Sequence, residues 1–380
     1  MIPLQPHPCP EVSNMRFLHT ADWQMGQAAI QLGGKADIAR HARMIAARRV
    51  MALARDKGVD FVVVAGDTFE HNGVSRVLVN DVARLLGSCG CPVYLIPGNH
   101  DSLEPGSVWE NPCWAQYSNI RILNKPEAIP ITGGTLFPCP ISESYSSADP
   151  TSWIPGAAGS GVRIGIAHGS VEDDPDRDHS HPIAREAATR GRLDYLALGH
   201  YHSQALYNDA TGAVHMVYSG THEPTSFGER DSGNVLFVEI ETPGTTPRVT
   251  VIPTAELTWK QIRKEVLQPG QLAALWHELQ TLTEPEKTLL DCRIEGTLFA
   301  EEQGVAADLE ALPEKFCFVR MDLSRMVPET GPQSWTQDVP AGYFLRTLQK
   351  LAARASEPSA TPSQRLALRL AASFWREVNA

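Results

Sequence analysis

The chain has 380 residues, of which 42% are hydrophobic and 20% charged, and its formal net charge at pH 7 is −11. This composition is typical of a soluble globular protein, and the length predicts one large domain with one or two smaller ones. No apolar run is long enough to span a membrane, so we expect a cytoplasmic protein. The acidic balance argues against a protein that coats nucleic acid by bulk electrostatics, although a local basic patch is compatible with it.

The beginning of the chain and its cysteines add two expectations. Residues 1–14 are rich in proline and lack the layout of a secretory signal, so we predict a disordered extension before the fold starts at Met15. Only Cys89 and Cys91 among the seven cysteines are close in sequence. We interpret the cysteines as reduced thiols of a cytosolic protein.

From Met15 to about residue 243, short apolar runs alternate with helical stretches, which predicts a layered α/β fold. Helices are predicted over Asp37–Lys57 and Val74–Leu86, and a surface loop over 142–161. The predicted strands are residues 15–20, 60–64, 92–96, 163–167, 195–198, 215–218 and 234–240.

Beyond residue 243 the pattern changes, and we predict a small α+β domain over 244–330. It contains predicted helical stretches at Gln261–Val266 and Pro269–Leu282, with predicted strands at 248–252, 289–295 and 316–323. Two amphipathic helices, Tyr343–Ala355 and Ser363–Val378, are predicted within a C-terminal segment that covers 331–380.

Five short polar motifs each follow the C-terminal end of a predicted buried strand, which is where ligands bind in an open α/β sheet. The motifs are Asp22-Trp-Gln24, Gly66-Asp-Thr-Phe-Glu70, Gly98-Asn-His-Asp101, His168-Gly169 and Gly199-His-Tyr-His202. Each motif alone is commonly a turn or a helix cap. Because unrelated turns would not place Asp, Asn and His at the same end of consecutive strands, we interpret the five motifs as one site.

The side chains of these motifs indicate metal chemistry. Carboxylates, amides and imidazoles without thiolates favour Mn, Fe, Zn or Mg over a structural zinc site. There are more candidate ligands than one ion needs. A carboxylate shared by two ions about 3.5–4 Å apart would clamp the attacking and leaving oxygens of a phosphoryl displacement.

In this order the motifs resemble those of the calcineurin-like metallophosphoesterases, a family with a layered α/β sandwich fold. The resemblance implies two divalent metal ions, with Mn²⁺ expected and Mg²⁺ as the alternative. It assigns the metal ligands as follows: Asp67 bridges both ions, Asp22, Gln24 and His202 complete the first site, and Asn99, His168 and His200 complete the second.

The resemblance also implies three residues of the catalytic machinery. His100 would donate a proton to the leaving oxygen or stabilise it, and Glu70 would orient the His100 imidazole. Asp101, the last residue of the same motif, is included as a catalytic candidate.

Two longer segments resemble the SbcD-type nuclease subunits of SbcCD-type DNA repair complexes. These segments are Met15–Gln27 and Tyr218–Glu229, and the similarity covers about residues 15–240 and fades beyond them. This resemblance implies a DNA exonuclease and endonuclease that forms a homodimer, with the 244–330 domain helping to position DNA. It further implies that the C-terminal helices dock on an SbcC-like ATPase.

The predicted helix over Asp37–Lys57 carries candidate DNA contacts. Its arginines Arg40, Arg43, Arg48 and Arg49 form a basic group that would suit a phosphate backbone, and a solvated basic face explains them equally well.

Three residues depart from the family pattern, and one of them, Glu70 in place of Asp, is a chemically conservative change with a longer side chain. Gln24 stands where the family has His, and its neutral amide oxygen is a weaker ligand than an imidazole. The first site would then prefer Mn or Mg, bind its ion weakly, or support reduced or redirected activity. His222 stands where the family has Pro, which changes the local loop.

Two alternatives to the nuclease stay open from the sequence. One is a phosphodiesterase for small cyclic or linear substrates, which the C-terminal regions and the SbcD-like opening disfavour. The other is a catalytically weak subunit that binds DNA ends and a partner, which Gln24 would explain.

Overall fold

The computed structural model describes residues 14–157, 161–172, 180–208, 212–312, 315–329 and 339–355, with scattered positions between 357 and 375. Residues 1–13 of the predicted N-terminal extension and much of the predicted helix 363–378 lie outside these residues. The chain divides into two compact units, Met1–Thr258 and Trp259–Ala380.

Within the described residues, the first unit holds twelve strands and three α-helices. The strands in chain order are β1 (Met15–Thr20), β2 (Phe61–Ala65), β3 (Val93–Ile96), β4 (Ile120–Ile122), β5 (Ile129–Ile131), β6 (Gly134–Cys139), β7 (Val162–His168), β8 (Tyr195–Gly199), β9 (Ala205–Asn208), β10 (Val214–Tyr218), β11 (Asn234–Ile240) and β12 (Arg248–Pro253). The helices are α1 (Ala36–Lys57), α2 (Arg76–Gly87) and α3 (Ala187–Arg190).

The strands form two six-stranded sheets. One sheet has the order β12-β11-β1-β2-β3-β4 and the other β5-β6-β7-β8-β10-β9. The strands β1 to β4 pair in parallel, as do β6, β7, β8 and β10. Antiparallel strands occupy the edges, where β11 and β12 extend the first sheet and β5 and β9 flank the second. The carboxyl ends of the central strands therefore open on one edge of each sheet.

A shared core joins the two sheets face to face. Phe17 and Phe61 from the first sheet stack at a ring-centroid distance of 4.9 Å, and Tyr195 from the second sheet packs edge-on against Phe17. The outer face of the first sheet packs on α1 and α2 through residues such as Val62 and Val50. Strand residues alternate between the two cores because successive side chains point to opposite faces. The predicted layered α/β fold is confirmed.

One predicted helix is wrong. Gln261–Val266 lies in an edge strand, β13 (Thr258–Val266). Its Gln, Arg, Lys and Glu side chains favour helices when considered alone, but here most of them lie exposed along the strand and only Val266 is fully buried. The neighbouring β12 pairs with β11 in the first sheet, and the predicted domain boundary at 243 falls before it.

The second unit is built on a three-stranded sheet in the order β13-β14-β15, with β14 at Thr288–Leu298 and β15 at Phe318–Pro328. Its helices are α4 (Gln271–Gln280), α5 (Gln303–Glu310) and α6 (Tyr343–Ala355). Leucines of α4 and α5 pack on Leu290 and Ile294 of β14. In α6, Leu348 is buried against Val339. Among the described residues, none of the helices has the length and apolar character that a membrane span requires.

Glycines at the ends of the central strands let the two sheets approach closely. A Cβ on Gly199, at the end of β8, would lie 1.9 Å from the carbonyl oxygen of Ala65, in β2 of the other sheet. A Cβ on Gly66 would lie 2.2 Å from the His168 ring and one on Gly98 2.1 Å from the Asp67 carboxylate. No side chain fits at these three positions, because atoms of a neighbouring motif or strand already occupy the space that a Cβ would need.

We expect Gly199→Ala to lower the free energy of unfolding by about 3 kcal/mol, since the added methyl group meets backbone that cannot rotate away. The matched control is Gly34→Ala, where an added Cβ meets nothing within 4 Å. Urea denaturation of the metal-free protein measures both variants. Equal midpoints for the two variants would contradict the close approach.

Candidate metal centre

The five motifs follow β1, β2, β3, β7 and β8, and the structure brings them together at the adjoining edges of the two sheets. Ligand atoms of Asp22, Asp67 and His168 all lie within 4.8 Å of one another, and all three side chains are buried. Main-chain hydrogen bonds fix the first two loops side by side, because the Gln24 N–H donates to the Asp67 carbonyl at 3.0 Å. The predicted convergence of the motifs is what the geometry shows.

The site is built on strained backbone. Four of its non-glycine residues have φ in the left-handed region: Asp22 (53°), Gln24 (46°), Asp67 (51°) and His200 (104°). Such conformations cost free energy and persist where the surroundings enforce them, typically at functional sites. Here they turn successive side chains toward one point.

One half of the centre is a cluster of donor atoms around Asn99. The Asn99 Oδ1 atom lies 2.8 Å from His168 Nε2 and 3.0 Å from His200 Nδ1. His168 Nε2 also lies 3.4 Å from Asp67 Oδ1. Atoms that share one ion at about 2.1 Å are themselves separated by roughly 3 Å, so this spacing fits a single cation. His168 Nδ1 donates to the Ala65 carbonyl at 2.9 Å, which leaves Nε2 facing Asn99, where it could bind an ion.

The electrostatics of the buried groups call for added positive charge. Burial opposes ionisation of Asp67, but His168 and His100 outweigh it and hold the pKa of Asp67 below its usual range. Burial raises the pKa of Asp22 to about 6, against the attraction of His168 and His202. Burial lowers the pKa of His168, yet Asp67 and Asp22 raise it overall to about 9. The proton on His168 thus balances the negative charge of Asp67 and Asp22, and a bound cation could balance the same charge in its place.

The other half of the centre contains Gln24 and His202. Gln24 Nε2 donates to Asp67 Oδ2 at 2.9 Å and lies 3.4 Å from His202 Nε2. Gln24 Oε1 is buried without a hydrogen-bond partner among the described residues. The Asp22 carboxylate accepts the His200 N–H at 2.9 and 3.1 Å. A set of one side-chain amide, two carboxylates and an imidazole, without thiolates, fits a hard divalent cation such as Mn²⁺ or Mg²⁺.

His202 is held from behind by a carboxylate that the sequence analysis missed. Its Nδ1 atom lies 3.2 Å from Glu229 Oε1 and 2.9 Å from Thr225 Oγ1. Thr225 in turn donates its N–H to Glu229 Oε2 at 3.0 Å. A carboxylate behind a ligating imidazole fixes the tautomer and raises the basicity of the ligand. The available signal was Glu229 itself, which closes the Tyr218–Glu229 segment.

The three catalytic candidates take different places. His100 is 42% exposed and its Nε2 lies 4.0 Å from Asp67 Oδ2, so its free edge faces solvent beside the centre. Its Nδ1 donates at 2.8 Å to the main-chain carbonyl of Glu70, not to the carboxylate that we predicted. Asp101 accepts the Gly98 and Phe69 N–H groups at 2.7 and 3.0 Å, so it braces two site loops and is a positioning residue.

The arginines of α1 are mostly committed to internal contacts. Arg43 is 1% exposed and donates to Gln27 Oε1 at 2.8 Å, so it is not available to a phosphate backbone, contrary to the prediction. Arg49 pairs with Glu256, and Arg40 pairs with Asp37. Arg48 alone of the four is exposed without an ion pair among the described residues.

Residues 15–204 match the calcineurin-like phosphoesterase family. The chain belongs to this family. Its members use divalent metal ions for phosphoester hydrolysis, and the group Asp22, Asp67 and His168 gives this chain a place to hold them.

Curated relatives are similar over parts of the chain. An uncharacterized metallophosphoesterase, YhaO of Bacillus subtilis (strain 168), is 23% identical over 245 residues, which are 60% of this chain and 58% of YhaO. The SbcD component of the nuclease SbcCD of Escherichia coli (strain K12) is 34% identical over 92 residues, 23% of this chain and 22% of that component. The match thus spans under two thirds of either relative. The solved structure of TT1561 from Thermus thermophilus aligns with 63% of this chain and 99% of its own at 11% identity, with a TM-score of 0.41.

Glu229→Gln is expected to weaken divalent metal binding by about 10- to 100-fold, because the neutral amide no longer enhances the basicity of the His202 imidazole. Calorimetric titration of Mn²⁺ into metal-stripped protein measures this change. The matched control is Ser226→Ala, which removes an exposed hydroxyl that donates to Glu229 Oε1 at 3.2 Å and leaves the carboxylate behind His202 in place. Unchanged affinity in Glu229→Gln would show that His202 does not depend on the carboxylate.

His222, at the position where the family pattern has Pro, is buried in the core of the first unit. Its Nε2–H donates to the Arg43 carbonyl at 2.9 Å, and its ring lies 5.0 Å from that of Trp23. Burial lowers the pKa of His222 to about 3. In the unfolded chain the pKa of His222 is near 6.5, so between about pH 6.5 and 3 its imidazole binds a proton in the unfolded state but not in the folded state. The free energy of unfolding therefore falls as the pH is lowered through this range.

We expect His222→Leu to reduce the acid sensitivity of the fold. Between pH 7 and 4.5, the free energy of unfolding of the wild type should fall by about 2 kcal/mol more than that of the variant. Urea denaturation at the two pH values in the absence of metal provides the measurement. Parallel losses in the two proteins would contradict a buried neutral His222.

Proposed function

We propose that this chain is a two-metal phosphodiesterase that cuts DNA as exonuclease and endonuclease, within an SbcCD-like DNA repair complex. The observation that supports the chemistry is the convergence of Asp22, Asp67 and His168 at one strand edge. The observation that supports the substrate is the 34% identity over 92 residues to a protein named as part of a nuclease.

Each side chain of the centre has a role in this proposal. Asp67 presents Oδ1 to one site and Oδ2 to the other, so it is suited to bridge two ions. Asn99, His168 and His200 would hold one ion, and Asp22, His202 and the amide oxygen of Gln24 would hold the other. Bound divalent ions would polarise the phosphodiester and activate water. Mn²⁺ is the proposed ion, with Mg²⁺ as the alternative, because the ligand set lacks thiolates.

His100 is the proposed proton donor to the leaving oxygen. The Glu70 carbonyl accepts its Nδ1–H at 2.8 Å and so holds the ring with Nε2 toward the solvent edge of the centre. Imidazole is the side chain that most readily exchanges a proton near neutral pH, which suits it to this role. The 42% exposure of the side chain leaves room for a long substrate to reach it.

DNA and an SbcC-like ATPase are the proposed partners, and a homodimer is the proposed assembly. Arg48 on the exposed face of α1 is the best placed of the four arginines to meet a phosphate backbone. The first turn of α6 leaves Tyr343 and Phe344 exposed, at 84% and 43%, which supports its docking on a partner.

One observation favours a second candidate, a subunit with weak catalysis that binds DNA ends. Gln24 donates a hydrogen bond to Asp67 Oδ2, the atom that the first ion would need. A first site that stays empty would remove one of the two ions from the chemistry.

The deciding experiment compares a labelled duplex oligonucleotide with bis-p-nitrophenyl phosphate as substrates in Mn²⁺. We expect the wild type to cut the duplex and His100→Ala to be slower by about 10²- to 10⁴-fold, because the leaving oxygen loses its proton donor. Asp67→Asn should abolish cutting through loss of the bridging carboxylate.

The control is Arg84→Ala, an exposed arginine paired with Asp81 on α2, which should cut normally. Cleavage of bis-p-nitrophenyl phosphate without duplex cleavage would replace the nuclease by a small-substrate enzyme. Binding of duplex ends without any hydrolysis would favour the binding subunit.

A further inference from the structure

The two halves of the metal centre differ in how their donor atoms are occupied. Around Asn99, oxygen and imidazole nitrogen atoms face one another at 2.8 to 3.4 Å, and a cation can replace the proton that they share. On the other side of Asp67, the amide nitrogen of Gln24 already lies against the carboxylate at 2.9 Å. The half that contains Gln24 and His202 is therefore blocked by the Gln24 side chain.

The Gln24 amide nitrogen takes the position that a ligand atom should have. It lies between Asp67 Oδ2 and His202 Nε2, at 2.9 and 3.4 Å. An amide nitrogen carries hydrogen atoms and no free lone pair, so it cannot bind a cation. Its N–H groups instead supply a small positive potential next to the carboxylate. The ligand-capable atom, Oε1, is buried without a hydrogen-bond partner in the part of the chain that the structure describes.

We propose that Gln24 makes the two metal sites unequal, so that the second site binds a divalent cation tightly and the first site binds one only when the Gln24 amide turns over. The turn exchanges Nε2 and Oε1 by rotation about the terminal side-chain torsion, which has a broad, roughly two-fold profile. This inference rests on the proposed two-metal function.

Ion entry and the turn of the amide are coupled by charge. After the turn, Oε1 faces Asp67 Oδ2 with no proton between the two oxygens, which is unfavourable unless a cation lies there. Before the turn, the buried amide oxygen has no hydrogen-bond partner among the described residues. This destabilises the present orientation of the amide and lowers the free-energy cost of the turn. Breaking a hydrogen bond to a carboxylate should leave the first site about 10- to 100-fold weaker than the second.

The consequence is a phosphodiesterase whose activity follows the free concentration of its metal. At low metal concentration the chain holds one ion at Asn99, His168 and His200 and lacks its partner. Occupancy of the first site, and with it turnover, rises only when the metal concentration reaches the weaker dissociation constant. His202 is oriented by Glu229 at 3.2 Å whether or not the first site holds an ion, because this contact does not involve Gln24.

The test is calorimetric titration of Mn²⁺ into the metal-stripped full chain. The wild type should show two phases whose dissociation constants differ by about 10- to 100-fold. Gln24→His should merge them into one phase of two ions, because an imidazole is a stronger ligand and histidine tolerates the left-handed φ of 46° at this position. Asn99→Ala should remove the tight phase, which assigns it to the second site.

Gln24→Glu is the second variant, and it keeps the shape of the side chain. A carboxylate at position 24 cannot donate to Asp67 and offers a charged oxygen instead, so the weak phase should tighten as well. Thermal unfolding in EDTA checks that each variant is folded, and if Gln24→His does not fold, Gln24→Glu decides. Two equal phases in the wild type would overturn the proposal. So would unequal phases that persist unchanged in the folded variants, or a tight phase that survives Asn99→Ala.

The metal titration and the hydrolysis assay can fail separately. Unequal phases in a protein that cuts no phosphodiester would support the inference and refute the proposed function. Two equal phases in an active nuclease would refute the inference and leave the function standing. Two unequal phases with duplex cleavage that rises over the range of the weaker phase, and at lower Mn²⁺ in Gln24→His, would support both.

Discussion

Two buried carboxylates, Asp22 and Asp67, impose the main constraint on the structure. They follow adjacent parallel strands, both are fully buried, and burial works against the charge of each. Burial of like charges in one place is sustained only with compensating positive charge. His168, contributed by the opposite sheet, supplies it in the absence of an ion. The same contact that joins the two sheets at this edge therefore creates the demand for a cation.

Much of the surrounding architecture serves that concentration of charge. Glycines at positions 66, 98 and 199 bring loops from both sheets within contact, and Asp101 ties two of those loops together through main-chain N–H groups. Glu229 and Thr225 hold His202 from the side away from the centre. Each device limits movement of a ligand atom. These contacts restrain the candidate ligand side chains. At Gln24, however, the atom that faces Asp67 is the amide nitrogen, which cannot bind a metal ion.

The sequence predicted the layered fold and the meeting of the five motifs, because strand ends, glycines and polar residues follow local rules. It failed where tertiary context decides. The segment Gln261–Val266 has a composition that favours a helix, but it lies in an edge strand. Arg43 was predicted to contact DNA, but its side chain is buried in the core. Glu70 contributes a carbonyl where a carboxylate was expected, and sequence patterns carry no information on which atom is used. Glu229 lies 27 residues from His202, too far for spacing to reveal the pair.

Charge also links the metal centre to the proposed substrate. The chain carries a net charge of −11, and of the four arginines proposed to meet DNA, Arg43 is buried, Arg49 pairs with Glu256, and Arg40 pairs at the surface with Asp37. A phosphodiester that approaches the centre without metal meets two carboxylates, whose negative charge the single proton on His168 offsets only in part. With ions bound, the same carboxylates are neutralised and the ions attract the phosphate directly. If Gln24 weakens binding of the first ion as proposed, a substrate phosphate could supply the oxygen ligand that Gln24 does not present. Metal and DNA would then each raise the affinity of the other, as thermodynamic linkage requires.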